Sequence, residues 1–286
     1  MRVIALLAWI LSIAVASPAL AASSPHLQSL EQQLSSLLAA RSGDVGVAAL
    51  DLATGETIAI NGDKAYPMAS TMKVAVAAAY LDQVEAGRRT LDTRIGTQSA
   101  RALLEAMMIH SNNNATDALI GNLGGPRAIQ DWLDHNNIRG IRVDRNIARL
   151  LADKRDLWDL RDSASPVAMV QMLRSLDKGN ILTASSRAYL LDVMSRCATG
   201  KNRIRGMLDG VPIAHKTGTL NNYTSDVGYL TLPDGRRLAV AFFARGGTDR
   251  PTTIAQAART IYDGFTGWVR SIAFSDSMSR AISTAN

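Results

Sequence analysis

Residues 70–86 constrain this chain more than any other stretch. They read STMKVAVAAAYLDQVEA, rich in alanine and valine almost all round, and Gly87 closes them. A helix without a polar face has to lie at the centre of a domain, with other elements packed around it. The rest of the sequence supplies those elements. Leu27, Leu30, Leu34 and Leu37 recur at helical spacing, and further helices are predicted over 99–109, 115–122 and 127–136, the last with Pro126 in its first turn. Others are predicted from Ser165-Pro166 onward and over 185–196. Strand patterns sit towards the two ends. Residues 45–50 and 56–60 read as a hairpin around Thr54-Gly55, and 211–216, 227–232 and 238–244 as three more strands, with a turn at Pro233-Asp234-Gly235. A helix over 253–265 follows. Strands at both ends with helices inserted between them predict an α+β fold. Its antiparallel sheet lobe is drawn from 22–65 and 205–270, and its central all-helical lobe from 66–204, with no linker dividing them. The small, polar tail at 271–286 is predicted to be poorly ordered.

The first 21 residues have the pattern of a cleaved leader. Arg2 supplies a positive charge, residues 3–16 are apolar, and Ala19-Leu20-Ala21 is a small-residue cleavage site. An uncleaved anchor is the alternative, but the apolar run is short for a bilayer and ends in Ser17-Pro18. The mature product is therefore predicted to be soluble and exported, periplasmic or secreted, with no membrane association after cleavage. Export permits disulfides, yet Cys197 is the only cysteine, so the fold must rest on its core. A formal charge of +6 suits anionic substrates or an anionic envelope polymer. No run of Lys and Arg and no basic-aromatic module is present, which argues against a nucleic-acid partner. No glycine-rich phosphate loop occurs, and His26, His110, His135 and His215 show no metal-ligand spacing, so neither cofactor nor metal is expected. His215 reads as a residue that packs or bonds locally beside Lys216. A monomer is expected.

Three polar signatures follow one another along the chain: Ser70-Thr71-Met72-Lys73, Ser111-Asn112-Asn113 and Lys216-Thr217-Gly218. Alone, the first describes a helix cap and a snorkelling lysine equally well, the second a polar turn, and the third a lysine at a sheet edge. Together they describe one catalytic centre. Ser70 stands at a helix start, where free backbone N–H groups can hold a developing oxyanion. Lys73 lies one turn on, on the same face. An ammonium with an ordinary pKa near 10.4 cannot take the serine's proton, but burial and a second cation, for which Lys216 is the candidate, would lower it. Ser111 can relay a proton to a leaving nitrogen, and Asn113 can hold a substrate amide. Lys216 and Thr217 suit a substrate carboxylate, and the Thr219 N–H a second oxyanion contact.

These residues resemble the penicillin-recognising serine enzymes, most closely the class A β-lactamases, over nearly all of the mature chain. The run from Cys197-Ala198-Thr199-Gly200 through Arg203-Ile204-Arg205 to Ala214-His215-Lys216-Thr217-Gly218-Thr219 is similar to the family's approach to its third motif. Residues 161–166, Arg-Asp-Ser-Ala-Ser-Pro, look like the end of its Ω-shaped loop, and Val143-Asp144-Arg145-Asn146-Ile147 like its start. The resemblance implies a β-lactamase/D,D-peptidase-like fold in which Ser70 is acylated, Lys73 accepts a proton and Ser111 relays it. It implies that Asn113, Lys216, Thr217 and Thr219 bind substrate, that Arg203 assists with the carboxylate, and that Arg145 pairs with Asp162 to close the loop. Two departures stand out. Asn112 replaces an aspartate that is mainly structural in the family. More seriously, the family's general-base glutamate falls at Ile147 and its companion amide at Leu151, and no glutamate follows Glu105 anywhere in the chain. Asp153, Asp156 or Asp159 would have to bend inward to replace it. The expected activity is opening of a β-lactam amide through a Ser70 acyl-enzyme with slow deacylation. A D,D-peptidase acting on D-Ala-D-Ala stem peptides, or a β-lactam-binding protein without turnover, are the alternatives.

Overall fold

The computed structural model describes residues 25–153 and 156–283. The leader pattern at 1–21 and the last residues of the tail, 284–286, lie outside the described residues. Helix α1 (Pro25–Ala39) leads into strands β1 (Asp44–Asp51) and β2 (Thr57–Ile60) and a two-residue β3 (Tyr66–Pro67). A 3-10 turn at Ala69–Met72 opens directly into α2 (Lys73–Glu85). Beyond the small β4 (Arg94–Ile95) and β5 (Gln98–Ser99) hairpin come α3 (Ala100–His110), α4 (Asn113–Leu123) and α5 (Pro126–His135). The short α6 (Ile147–Ala152), β6 (Ser163–Ala164), α7 (Pro166–Asp177) and α8 (Ala184–Ser195) follow. The chain then returns through β7 (Ile213–Leu220), β8 (Tyr223–Thr231) and β9 (Arg237–Arg245) to α9 (Arg250–Ser283).

Alternation in the central strands dictates the layering. In β9, Leu238, Val240, Phe242 and Ala244 enter one core while Ala239, Ala241 and Phe243 enter another, and Val45, Val47 and Ala49 of β1 oppose Ala48 and Leu50 in the same way. A strand apolar on both faces needs cover on both. The antiparallel sheet, in the order β2-β1-β9-β8-β7, therefore carries α1 and α9 on one side, where Leu27, Leu30 and Leu34 share a core with Ile254, Ala258 and Ile261. On the other side α7 lies across β1 and β9 and joins the sheet to the helices. At the centre of those helices α2 is buried without interruption from Lys73 to Leu81, packed by α3, α4, α5 and α8. The α+β class expected from the sequence is the one adopted.

Local chemistry sets the helix starts. Side chains of Ser99, Asn112, Asn146 and Ser165 accept from the backbone N–H three residues on, and Pro166 occupies the first turn of α7. Three features depart from the sequence reading. Strands β7 and β8 are longer than predicted and meet at a turn over Asn221 and Asn222, which places Lys216 in mid-strand and not near a strand end. The six-residue α6 was not anticipated. The last helix, expected over 253–265, continues to Ser283; no proline and no glycine beyond Gly267 interrupts it.

Candidate active site

The site begins where the chain enters α2. Ala69 adopts a φ of 51°, a left-handed conformation that costs a residue with a Cβ about 1–3 kcal/mol and persists only when its surroundings enforce it. Thr71 Oγ1 donates to Met68 O at 2.7 Å, tightening the turn that carries Ser70. Edge strand β7 presses against this turn. At Gly218 a Cβ would fall 2.4 Å from Ser225 Oγ and 2.7 Å from Met68 O, so the glycine of the third signature is a requirement of close approach.

From the second turn, Ser111 closes α3 with a φ of 58°, and Asn112 caps α4 by accepting from Ala115 N at 2.8 Å. This conformation turns Ser111 towards both lysines. Lys73 Nζ donates to Ser111 O at 2.8 Å, to Asn113 Oδ1 at 2.8 Å and to Ser111 Oγ at 3.2 Å. Lys216 Nζ donates to Ser111 Oγ at 2.9 Å and to Thr217 O at 2.9 Å. One hydroxyl thus bridges two amines, both fully buried. Burial first, and then the Lys216 charge, push Lys73 down to about 7, against an opposing pull from Asp117. Burial likewise pushes Lys216 down to about 8, assisted by Arg203 and opposed by Cys197 and Asp226. An amine with a pKa near 7 is neutral often enough at neutral pH to take a proton from a nearby hydroxyl.

Arg203 donates to Gly218 O at 3.0 Å, Ser225 O at 2.9 Å and Thr219 Oγ1 at 2.7 Å, so its guanidinium lies along the edge of β7. Arg205 turns away to Ser195 O and Ile213 O. Thr217 is paired with Thr199, their hydroxyl oxygens 2.5 Å apart.

Residues 143–153 and 156–165 carry the opposite wall, through Ile147, Leu150 and Leu151. Asp162 Oδ2 accepts from Arg145 Nε at 2.6 Å, and its other oxygen accepts from the backbone of Asp144 and Arg145. The three aspartates considered as replacements for the glutamate are otherwise engaged. Asp153 lies 2.7 Å from Arg145 and 3.1 Å from Arg149. Asp159 is held at about 2, chiefly by Arg161 and also by Arg145. Asp156 caps Trp158 N at 3.0 Å. None of them lines the cleft at Ser70, which is bounded instead by Ala69, Asn113, Ile147, Leu150, Leu151, Thr219 and Leu220. Ile147 is buried there at the first residue of α6, its N–H donating to Asp117 at 2.7 Å and that of Ala148 to the same carboxylate at 2.8 Å. Asp117 was missed in the sequence, as were Thr199 and Asp226, which accepts from His215. No local signal marks Asp117, because it lies in α4, about thirty residues before the helix start whose N–H groups it accepts from.

The sequence profile described as the Beta-lactamase enzyme family matches residues 29–265. The extended-spectrum β-lactamase PER-1 of Pseudomonas aeruginosa is 30% identical over 267 residues, covering 82% of this chain and 86% of its own. The chain belongs to the class A β-lactamase family. Another relative, β-lactamase OXY-2 of Klebsiella oxytoca, is 30% identical over 92% of this chain and 98% of its own. Among solved structures, the ancestral GNCA class A β-lactamase superposes with a TM-score of 0.78 at 32% identity, over 82% of this chain and 99% of that one. As a member, the protein is a serine hydrolase of the β-lactamase family. Among the described residues, no group of His, Cys, Asp and Glu could hold a metal ion, and no helix is long and apolar enough to cross a membrane.

Proposed function

We propose that this β-lactamase-family enzyme opens the amide of a β-lactam ring through an acyl-enzyme on Ser70 and releases that acyl group slowly. The convergence of Lys73 and Lys216 on Ser111 Oγ is the observation that carries the first half. Neutral Lys73 takes the Ser70 proton as the hydroxyl attacks the carbonyl. Lys73 returns it through Ser111 to the departing nitrogen, so that proton and electron pair both end on the leaving group. The N–H groups of Ser70 and Thr219 receive the oxyanion, and Asn113 holds the side-chain amide of the acyl group. Lys216, Thr217 and Arg203 receive the ring carboxylate.

Hydrolysis of the ester then requires a base for water. Ile147 supplies none, Leu150 and Leu151 extend the same apolar wall, Asp153 and Asp159 are paired with arginines, Asp156 caps Trp158 N, and Asp117 accepts from the N–H groups of Ile147 and Ala148. Loss of a positioned general base lowers a rate about 10²–10⁴-fold, roughly 3–5 kcal/mol of barrier. The leader pattern at residues 1–21 supports action outside the cytoplasm, where β-lactams arrive.

Intact mass spectrometry after mixing with a penicillin tests the reading. The expected result is an adduct of one penicillin mass that decays over minutes or longer, with hydrolysed product appearing at the same rate. Absence of any adduct or product would overturn it. Release of D-alanine from a stem pentapeptide would transfer the assignment to a D,D-peptidase.

A further inference from the structure

Thr217, the middle residue of the Lys-Thr-Gly run, is gripped by the segment that follows α8. Its hydroxyl oxygen lies 2.5 Å from Thr199 Oγ1. Its methyl group faces Gly200, where φ is 71° and a Cβ would fall 2.5 Å from Thr217 Cγ2. Both branches of this β-branched side chain are therefore in contact, which fixes one rotamer. The gripping segment is itself anchored. Ala198 N donates to Ile109 O at 2.9 Å, close in sequence to Ser111, and Arg203 N donates to Gly200 O at 3.0 Å. The same few residues thus place Thr217 and Arg203, two of the three groups read as receiving the carboxylate.

One proton lies between the two threonine oxygens, and its ownership decides what Thr217 can offer. A hydroxyl has a single proton to donate and two lone pairs to accept with. If Thr217 donates to Thr199, it has no proton left for an anion. If Thr199 donates to Thr217, the Thr217 proton is free to make a charge-assisted hydrogen bond. A third group completes this second order. Cys197 Sγ lies 3.3 Å from Thr199 Oγ1 and can donate its S–H there. Burial, the largest influence on that thiol, favours the protonated form; His215 acts in the opposite sense, but its Nε2 makes no hydrogen bond. Run in reverse, the chain would end on a neutral sulfur, which is a weak acceptor.

We propose that Thr199 is a positioning residue that makes the site select anionic acyl donors: it donates to Thr217, so that Thr217 donates to the donor's carboxylate. The assignment builds on Thr217 being a carboxylate-binding group, and Thr199 acts on substrate only through it. Cys197, Thr199 and Thr217 then donate in one direction towards the anion, and each hydrogen bond in such a chain polarises the next. Only hydrogen bonds are exchanged, and no proton changes its parent atom.

The test compares single-turnover acylation by a penicillin with acylation by its methyl ester, which lacks the negative charge. Thr199→Val keeps the side-chain shape and removes the hydroxyl. It should lower the preference for the acid over the ester about tenfold, the weak end of what a hydrogen bond to a charged group is worth. Thr199→Ser returns the hydroxyl and should recover most of that preference. An unchanged preference in Thr199→Val, an equal fall with acid and ester, or no recovery in Thr199→Ser overturns the proposal. A second measurement needs neither variant nor substrate. Cys197 is the only cysteine, so the infrared S–H stretching band of the intact enzyme reports it alone. The band is expected at neutral pH, at the lowered frequency of a thiol that donates. Its absence, or the frequency of a free thiol, overturns the proposed order. Acylation by neither substrate in the wild type would instead defeat the substrate reading and leave the band to decide the hydrogen-bond order.

Discussion

The two walls of the Ser70 cleft differ in kind. On one side, polar groups from α2, the α3–α4 junction and β7 converge until Ser111 Oγ has a lysine at 3.2 Å and another at 2.9 Å. On the other, α6 turns Ile147, Leu150 and Leu151 to the cleft, while Asp153, Asp159 and Asp162 face their arginines. In the proposed reading the first wall forms the acyl ester, and the second lacks the group that would hydrolyse it. On that proposal, formation and hydrolysis of the covalent intermediate are separable, each set by its own wall.

The comparison breaks most completely at the nucleophile. Ser70→Ala should eliminate the penicillin adduct in intact mass spectrometry, because it removes the hydroxyl proposed to be acylated. Persistent labelling at full stoichiometry would show that the polar wall serves another residue. Next in size is Ile147→Glu, which places a carboxylate on the apolar wall. Its expected effect is to speed decay of the adduct by about 10²-fold or more, up to the 10⁴ a positioned base can supply. Acylation should change much less. Equal effects on both steps would show that the walls are not independent.

A smaller effect is expected where the second wall is anchored. Asp162 is fully buried against Arg145, and Asp162→Asn leaves that guanidinium without its nearest anion. Breaking such a pair costs about 3–5 kcal/mol when nothing replaces it. Asp153 and Asp159 remain beside Arg145, so denaturant unfolding should show a loss at the lower end of that range or below it. Adduct decay should alter along with stability, since α6 hangs from the same loop.

The walls also differed in how far they could be read from sequence. The buried helix announced itself because Val74 to Leu81 have no polar side to display, and the residues of the three signatures were recognisable by type and spacing. The extents of β7 and β8 were not. Thr217, Thr219, Thr224 and Ser225 occupy strand positions with side chains that serve the cleft and its backing, so apolar alternation fails where the ladder continues. Helix α6 has only six residues, too few for a periodic pattern, and its start is held by Asp117, thirty residues earlier in the chain. The pairing of His215 with Asp226 was invisible for a related reason: Asp226 stands directly opposite Thr217, and its reach across the strands to His215 depends on the β7–β8 register.

The smallest effect tests the electrostatics of the polar wall. Lys73 has to be neutral to accept a proton, and its pKa lies at about 7, with burial the first cause and the charge of Lys216 the second. Acylation should therefore fall as pH drops through 7, approaching tenfold per unit below it, as the amine becomes protonated. Lys216→Met removes the second cause and leaves the first. The Lys73 pKa should then rise and carry the acid limb to higher pH, while burial keeps it below the 10.5 of an exposed lysine. Weakened carboxylate binding in the same variant lowers the height of the profile without moving its inflection. Single-turnover acylation followed from pH 5 to 9 separates the two effects, and an inflection that stays at 7 in Lys216→Met would show that burial alone sets the base.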